Sequence, residues 1–180
     1  MPMRMVGFRI SETPNMFDPI LTDKAEALLE TLRQSKRMLA TAESCTGGLI
    51  AGLLTEIAGS SDVVDRGFVT YSNEAKNECL GVPVELIEEH GAVSEEVARA
   101  MAKGAVHRSR ASIAVAVTGV AGPGGGTDEK PVGLVHLAVA KSGGETLHKR
   151  LMLGDIGRAD VRLATVREAV ALLEAVAHAS

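Results

Sequence analysis

The hydrophobic positions of this chain follow two patterns. In some segments they recur with the period of a helix, and in others they form the continuous runs typical of buried strands. From Thr22 the apolar residues recur every three or four positions, which predicts a helix that Thr22 caps and that ends near Ser35. Residues 37–42 form a short apolar run typical of a buried strand, and residues 49–57 return to helical spacing. A strand, a tight glycine turn and a helix therefore follow one another.

The same alternation continues through the middle of the chain. Residues 63–71 are rich in β-branched and aromatic side chains, which predicts a second strand. Helical segments follow through Leu80 and over residues 84–90, and Ser94 matches the N-cap of a further helix. The unbroken apolar run of residues 113–117 predicts a central strand that is buried on both faces, as parallel strands are.

The last third of the chain predicts a hairpin and a closing helix. Residues 133–140 and 145–153 have strand character and are joined by a Ser-Gly-Gly turn, and one long helix follows from Arg158. We therefore predict an α/β fold, a three-layer α/β/α sandwich with a mixed, mostly parallel sheet of about five strands. Residues 1–20 lack sustained periodicity, so we predict that they form a poorly ordered N-terminal arm. The remaining residues, 21–180, are predicted to form a single domain.

Composition narrows the classes of function. The 19 basic and 23 acidic residues are interspersed and give a net charge of −4, so no basic surface for nucleic acid is predicted. Three Phe and one Tyr, without Trp, are too few aromatic platforms for stacking single-stranded bases. The sequence has no long apolar segment for a membrane, no secretory leader and only two cysteines, so we expect a cytoplasmic protein that binds neither membrane nor nucleic acid.

Candidate chemistry begins in the turn of residues 42–48, Ala-Glu-Ser-Cys-Thr-Gly-Gly. A Ser44 hydroxyl at the start of a helix would lie beside free N–H groups that stabilise an oxyanion, which makes Ser44 a candidate nucleophile. The alternative is that Ser44 or Thr46 is simply an N-cap. Cys45 is an alternative nucleophile that we interpret as a packing residue. Glu43 either holds the turn or contacts a ligand hydroxyl.

A serine nucleophile needs a base, and this chain offers a lysine rather than a histidine. Its five histidines are scattered over helices and the hairpin, which disfavours a Ser-His-Asp triad. Lys76 follows the strand that ends at Tyr71, and a desolvated lysine with a depressed pKa can take a hydroxyl proton, with Tyr71 as relay. The alternative for Lys76 is a solvated residue in the first turn of a helix. No pair of Cys, His or carboxylate residues has metal-ligand spacing, so no metal is predicted.

A second glycine turn, residues 118–127, reads Thr-Gly-Val-Ala-Gly-Pro-Gly-Gly-Gly-Thr. The glycines, among them Gly119, Gly122 and Gly124, let backbone N–H groups approach an anion, and Thr118 adds a hydroxyl. These features predict a site for a phosphate or a carboxylate. The turn matches neither the Walker pattern nor the dinucleotide fingerprint, and the alternative is a flexible crossover.

Four blocks of the sequence, all in order, resemble the CinA C-terminal domain family. They are residues 42–48, 69–76 (Val-Thr-Tyr-Ser-Asn-Glu-Ala-Lys), 91–94 (Gly-Ala-Val-Ser), and 117–127 together with 130–133. The resemblance covers about residues 25–177. The family includes nicotinamide mononucleotide deamidases, and many of its members carry a larger N-terminal domain whose activity we do not expect here.

The resemblance implies a metal-independent amidohydrolase that needs no cofactor, often dimeric, so we expect a homodimer or higher homo-oligomer. The implied reaction hydrolyses the carboxamide of nicotinamide mononucleotide to nicotinate mononucleotide and ammonia, which returns the nucleotide to the NAD pool. Ser44 is then the nucleophile, Tyr71 and Lys76 handle the proton, and Thr118 lies in the pocket. The alternatives are a non-catalytic nucleotide-binding regulatory module and a hydrolase of a different small amide.

The same match assigns the groups that would hold the substrate. Amides near Cys45, Thr46 and Gly47 would stabilise the oxyanion. Family members commonly carry Gly-Asp-Arg ahead of the last helix, whereas residues 154–158 here read Gly-Asp-Ile-Gly-Arg, two residues longer. Arg158 is the predicted contact of the substrate phosphate, with Arg162 as the alternative.

Overall fold

The computed structural model describes residues 16–178, which form alternating helices and strands. In order they are α1 (Pro19–Gln34), β1 (Leu39–Glu43), α2 (Leu49–Glu56), β2 (Val64–Val69), α3 (Asn73–Leu80), α4 (Val84–His90), α5 (Glu95–His107), β3 (Ile113–Gly119), β4 (Leu134–Lys141), β5 (Leu147–Met152) and α6 (Arg158–His178). The predicted βα units, the hairpin and the closing helix are all confirmed. None of the helices in this range combines the length and the hydrophobicity that a bilayer-spanning segment requires.

The strands form one five-stranded sheet in the order β2-β1-β3-β4-β5. β1 pairs in parallel with β2 and β3, while β4 is antiparallel to both β3 and β5. Only β4 therefore runs against the other strands, which confirms a mixed, mostly parallel sheet. Because β1, β2 and β3 point the same way, the turns that follow them meet at one edge of the sheet, where ligands bind in such folds.

Helices cover both faces of the sheet, and β3 shows how its sequence divides between them. Ile113, Val115 and Val117 face the core that contains α1, α2 and α6. Ala114 and Ala116 face the opposite core with α3, α4 and α5. The alternation follows from the period of two along a strand, and the small alanines let α5 approach the sheet closely. The predicted three-layer α/β/α sandwich is confirmed.

The chain enters the fold earlier than predicted. α1 begins at Pro19, and the Asp18 carboxylate caps it by accepting a hydrogen bond from a first-turn amide at 2.8 Å, so Thr22 is not the cap. Phe17 is already buried in the core beside α1. The boundary of the predicted arm at residue 20 was therefore too late, and the rest of that prediction, residues 1–15, lies outside the described range.

One close contact fixes α3 against α5. A Cβ atom placed on Gly104 of α5 would lie 2.0 Å from the carbonyl oxygen of Leu80, the last residue of α3. Only a hydrogen atom fits in that space. Because α3 carries Lys76, this contact also helps to position a candidate site residue.

The Gly104 contact predicts a loss of stability on Gly104→Ala. Alanine is about 1 kcal/mol better than glycine inside a helix, but the added methyl group collides with the α3 backbone. We expect a net loss of about 1–3 kcal/mol in the free energy of unfolding by denaturant. Lys103→Ala, at the exposed neighbouring position, is the control. A Gly104→Ala protein as stable as the parent would contradict this account of the helix contact.

Candidate active site

Three strand ends meet at Ser44, the first residue after β1. In the sheet register Glu43 lies opposite Val69 of β2 and Val117 of β3, so β1 and β2 end level with each other and β3 continues two residues further, to Gly119. The Ser44 amide donates to the Val117 carbonyl at 3.0 Å, and the Thr70 amide donates to the Glu43 carbonyl at 2.9 Å. Ser44 and Thr70, which follow β1 and β2, are thereby held beside the last residues of β3.

An open pocket of about 280 Å³ lies at this edge of the sheet. All the predicted site residues line it except Glu43, Thr46 and Gly47. The pocket is also lined by Ala92 and Val93 of the loop between α4 and α5, and by Asn73 at the start of α3. Sequence reasoning did not assign these three to the site, although residues 91–94 were among the blocks that carried the resemblance.

Lys76 is buried against Ser44. Its side chain extends from the first half of α3, which begins after the N-cap Ser72, and only 1% of Lys76 is exposed. The Nζ atom lies 3.1 Å from Ser44 Oγ, 3.0 Å from the carbonyl oxygen of Thr70 and 3.5 Å from that of Ser72. The alternative of a solvated lysine is therefore wrong, and the structure brings the predicted nucleophile and base together.

The surroundings of Lys76 favour its neutral form. Burial lowers the pKa of Lys76. A Cys45 thiolate would raise it, but burial raises the pKa of Cys45 to about 12, so the thiol is neutral at physiological pH. A neutral amine has two N–H groups and one lone pair. The Nζ atom is a donor to all three oxygens here. In the neutral form the carbonyls of Thr70 and Ser72, which can only accept, would take the two hydrogens and leave the lone pair for the Ser44 hydroxyl.

Cys45 packs into the hydrophobic core on the side of α1, α2 and α6 and is 5% exposed. Its raised pKa keeps the sulfur protonated, and the thiol is a poor nucleophile. Both observations favour the interpretation of Cys45 as a packing residue at the wall of the pocket.

Glu43 caps α2 from the strand that precedes it. Its buried carboxylate accepts four hydrogen bonds: Oε2 accepts from the Thr46 hydroxyl at 2.7 Å and from the amides of Gly48 at 3.1 Å and Ile50 at 3.0 Å, and Oε1 accepts from the Ala51 amide at 2.8 Å. These donors include first-turn amides that lack partners within the helix, and a carboxylate suits the positive end of the helix dipole. Glu43 thus holds the turn, and its carboxylate and the Thr46 hydroxyl bind each other rather than a group in the pocket.

This arrangement also corrects two expectations about the turn. The alternative that Ser44 or Thr46 caps the helix is wrong, because the Glu43 side chain occupies the helix amides. Gly47 was expected to help stabilise an oxyanion, but its amide donates to the Ser44 carbonyl at 3.0 Å. Within residues 16–178 the Thr46 amide makes no hydrogen bond to another protein group.

The two candidate arginines have different surroundings. Arg158 lines the pocket. Arg162, one turn later in α6, donates from Nε to the carbonyl of Cys45 at 3.1 Å and from Nη2 to the carbonyl of Thr46 at 3.0 Å. Because Arg162 is bound to the backbone of the turn, Arg158 is the arginine that is placed to contact a substrate.

Tyr71 lies at the rim of the pocket and is 60% exposed. Its hydroxyl accepts a hydrogen bond from Arg158 Nη2 at 2.8 Å, and Arg158 Nη1 donates to the Gly122 carbonyl at 2.8 Å. In the described part of the chain the Tyr71 hydroxyl makes no hydrogen bond to Ser44 or Lys76. The structure therefore does not bring Tyr71 into the serine–lysine contact, and its position suits a contact with substrate better than a proton relay.

The glycine loop after β3 is anchored at its base. The Thr118 hydroxyl donates to the Ala92 carbonyl at 2.8 Å, which ties the loop to the segment between α4 and α5. Gly119 lies so close to β4 that an added Cβ would be 2.8 Å from a side chain there, and Gly122 has φ of +78°. Gly124 has open space around it. These contacts disfavour a freely flexible crossover, and the open glycines leave room for a ligand.

Comparison with known proteins identifies the family of this fold. The family model of the CinA C-terminal domain matches residues 21–177. The chain belongs to this family. Solved CinA structures include the competence/damage inducible protein CihA from Agrobacterium tumefaciens, with a TM-score of 0.89 and 56% identity over 91% of this chain and 99% of that one. ComA from Klebsiella pneumoniae has a TM-score of 0.83 and 37% identity over 89% and 99% of the two chains.

Curated CinA relatives are longer than the region they share with this chain. A CinA-like protein from Akkermansia muciniphila is 52% identical over 151 residues, which are 83% of this chain and 36% of the relative. A CinA-like protein from Mycolicibacterium vanbaalenii is 55% identical over 137 residues, 76% of this chain and 32% of the relative. The chain therefore spans about a third of the length of the curated relatives it matches.

The CinA domain holds no candidate metal centre within residues 16–178, where no group of three or more His, Cys, Asp and Glu side chains is arranged to bind an ion. The polar residues that line the pocket include Ser44, Tyr71, Asn73, Lys76, Thr118 and Arg158. This set can bind an anion and transfer a proton to or from a serine.

The capping role of Glu43 predicts a loss of stability on Glu43→Gln. The glutamine amide keeps one acceptor oxygen but turns an NH2 group towards backbone donors, which leaves buried N–H groups unsatisfied. We expect a loss of about 1–3 kcal/mol in the free energy of unfolding, measured with denaturant. Glu56→Gln, at the exposed end of the same helix, is the control. Equal stability of Glu43→Gln and the parent would contradict the capping role.

Proposed function

We propose that this chain is a serine amidohydrolase that converts nicotinamide mononucleotide to nicotinate mononucleotide and ammonia. The observation that carries the reaction class is the contact of 3.1 Å between the buried Lys76 amine and Ser44 Oγ. Burying an amine without a carboxylate partner is unfavourable, and a domain that only binds a nucleotide does not require it. The choice of substrate rests on the family resemblance.

The first half of the reaction forms an acyl-enzyme. Neutral Lys76 takes the proton of the Ser44 hydroxyl as Oγ attacks the carboxamide carbon, and the carbonyl electrons move to oxygen. Free amide N–H groups of the turn stabilise the oxyanion. When the oxyanion collapses, the C–N bond breaks, the Lys76 ammonium gives its proton to the leaving nitrogen, and ammonia departs. Lys76 is neutral again, and the acyl group is esterified to Ser44.

In the second half of the reaction, Ser44 and Lys76 release the acid from the acyl-enzyme. Lys76 takes a proton from a water molecule that attacks the ester carbonyl. The C–O bond to Ser44 then breaks, and Oγ recovers a proton from Lys76. Nicotinate mononucleotide leaves, and the serine and lysine return to their starting states.

Arg158 supports a phosphate-bearing substrate. Within residues 16–178 its guanidinium donates to the Tyr71 hydroxyl and the Gly122 carbonyl and forms no ion pair with a carboxylate. The planar guanidinium can donate two parallel hydrogen bonds to two charged oxygens of a phosphate. The open space beside Gly124 leaves room for such a group near Arg158.

The proposal predicts ammonia release from nicotinamide mononucleotide by the purified chain. Ser44→Ala and Lys76→Ala should each reduce kcat by at least about 1000-fold, since each removes a group that acts in bond making. Binding of the nucleotide to Ser44→Ala should stay within a few-fold of the parent in calorimetry. Lys24→Ala, an exposed lysine of α1, is the control. Full turnover by either site variant would exclude its assigned role, and nucleotide binding by the parent without ammonia release would favour a binding module.

The lowered pKa of Lys76 predicts how activity depends on pH. The base acts in its neutral form, so kcat/KM should fall as pH falls through the pKa of Lys76 in the folded protein. Because burial lowers that pKa, the midpoint of this limb should lie below 10.5, the usual value for lysine. A pH–rate profile with the parent chain measures it. A midpoint at or above 10.5, or activity that does not rise with pH, would contradict a neutral Lys76 base.

A further inference from the structure

Two arginines of α6 differ in what they bind, and only Arg162 binds the nucleophile turn, residues 44–48. Arg158 and Arg162 are four residues apart, so they lie on the same face of the helix, one turn from each other. Arg158 lines the pocket, whereas Arg162 is half-buried behind the turn and does not line it. The mechanism above uses Arg158 and leaves the second guanidinium without a role.

Arg162 binds the backbone of the turn with two donors. Its Nε and Nη2 atoms donate to the consecutive carbonyls of Cys45 and Thr46, at 3.1 and 3.0 Å. The rigid fork of a guanidinium fixes both acceptors at once, which a flexible amine does not do. Gly47 follows these two residues with φ of +60°, in the left-handed region that favours glycine, and Arg162 Nη2 would lie in ordinary contact, at 3.4 Å, with a Cβ atom there.

The direction of a carbonyl sets the direction of the next amide. In a planar trans peptide the C=O of one residue and the N–H of the next point in opposite directions. The Cys45–Thr46 peptide is trans, so holding the Cys45 carbonyl towards Arg162 directs the Thr46 N–H to the other side of the turn. Unlike the Gly47 amide and the α2 amides that bind Glu43, the Thr46 amide has no protein acceptor within the described range.

We propose that Arg162 is a positioning residue for the serine reaction, which holds the Cys45–Thr46 peptide so that the Thr46 N–H donates to the oxyanion. A charged donor on the Cys45 carbonyl also polarises the peptide and strengthens its N–H as a donor. The inference rests on the serine chemistry of the proposed function but not on the identity of the substrate. Arg162 itself contacts no reacting atom.

Kinetics of Arg162 variants test this role. Arg162→Ala should lower kcat for nicotinamide mononucleotide by about 10- to 100-fold, somewhat less than the loss of an oxyanion donor itself, with KM within about threefold. Arg162→Lys should recover part of kcat, because lysine donates to the carbonyls without the fixed fork. Arg167→Ala, on the same helix and in an exposed ion pair with Asp18, should match the parent. Unchanged kcat, or a rise in KM alone, would overturn the positioning role.

Phosphonylation of Ser44 by a fluorophosphonate gives a second readout that does not depend on the natural substrate. The Oγ–P bond forms, the P–F bond breaks with loss of fluoride, and the Ser44 proton goes to Lys76, while the phosphoryl oxygen occupies the oxyanion position. Arg162→Ala should be labelled about tenfold more slowly than the parent, consistent with a weakened oxyanion donor. Equal labelling rates would overturn the inference.

The labelling experiment also separates the two proposals. A parent chain that is labelled but releases no ammonia from the mononucleotide would refute the proposed substrate, and the Arg162 comparison would still decide the positioning role. If Arg162→Ala does not fold, as judged by circular dichroism, the Arg162→Lys protein decides it by the same rates. A parent chain that is not labelled at all would overturn both the activated serine and the role of Arg162.

Discussion

The contact between the buried Lys76 amine and the Ser44 hydroxyl is the interaction on which the rest of the site depends. An ammonium group buried without a counter-ion is strongly disfavoured, so the fold itself shifts this lysine towards its neutral form. The carbonyls of Thr70 and Ser72 orient the amine. Because these groups follow β1 and β2, the parallel pairing of the two strands determines whether the contact forms at all.

The nucleophile turn is fixed by two side chains, one that binds amide N–H groups and one that binds carbonyl oxygens. The Glu43 carboxylate binds the amide side, and the Arg162 guanidinium binds the carbonyl side. Between these two anchors little freedom is left to the backbone beside Ser44. Donors that are fixed before the reaction need not reorganise as charge develops, which is the main source of electrostatic stabilisation in such sites. In the proposed reaction the conformation of the turn therefore matters as much as its serine.

Much of this arrangement follows from local sequence patterns. The spacing of apolar residues was sufficient to predict the βα units, and the rule that ligands bind beyond the carboxyl ends of parallel strands was sufficient to select Ser44, Lys76 and the Thr118 loop. The start of α1 was predicted too late because Thr22 and Asp18 are both acceptable caps, and only the burial of Phe17 shows that the chain has already joined the core.

Other features depend on contacts in three dimensions that local sequence patterns do not predict. Glu43 caps a helix whose amides lie up to eight residues later, whereas capping rules compare close neighbours. Arg158 and Arg162 share a helix face, so spacing alone did not separate a pocket residue from one behind the turn. Tyr71 and Lys76 follow the same strand, yet the phenol stays at the exposed rim while the amine is buried. Proximity along the chain does not fix the direction of a side chain at a strand end.

The central claim is that Ser44 carries the acyl group during turnover. The most direct measurement is mass spectrometry of the chain after acid quench in the presence of nicotinamide mononucleotide, followed by peptide mapping. The account predicts a mass increase equal to the acyl form of nicotinate mononucleotide, located on Ser44. Turnover without any adduct, or an adduct on Cys45, would contradict it.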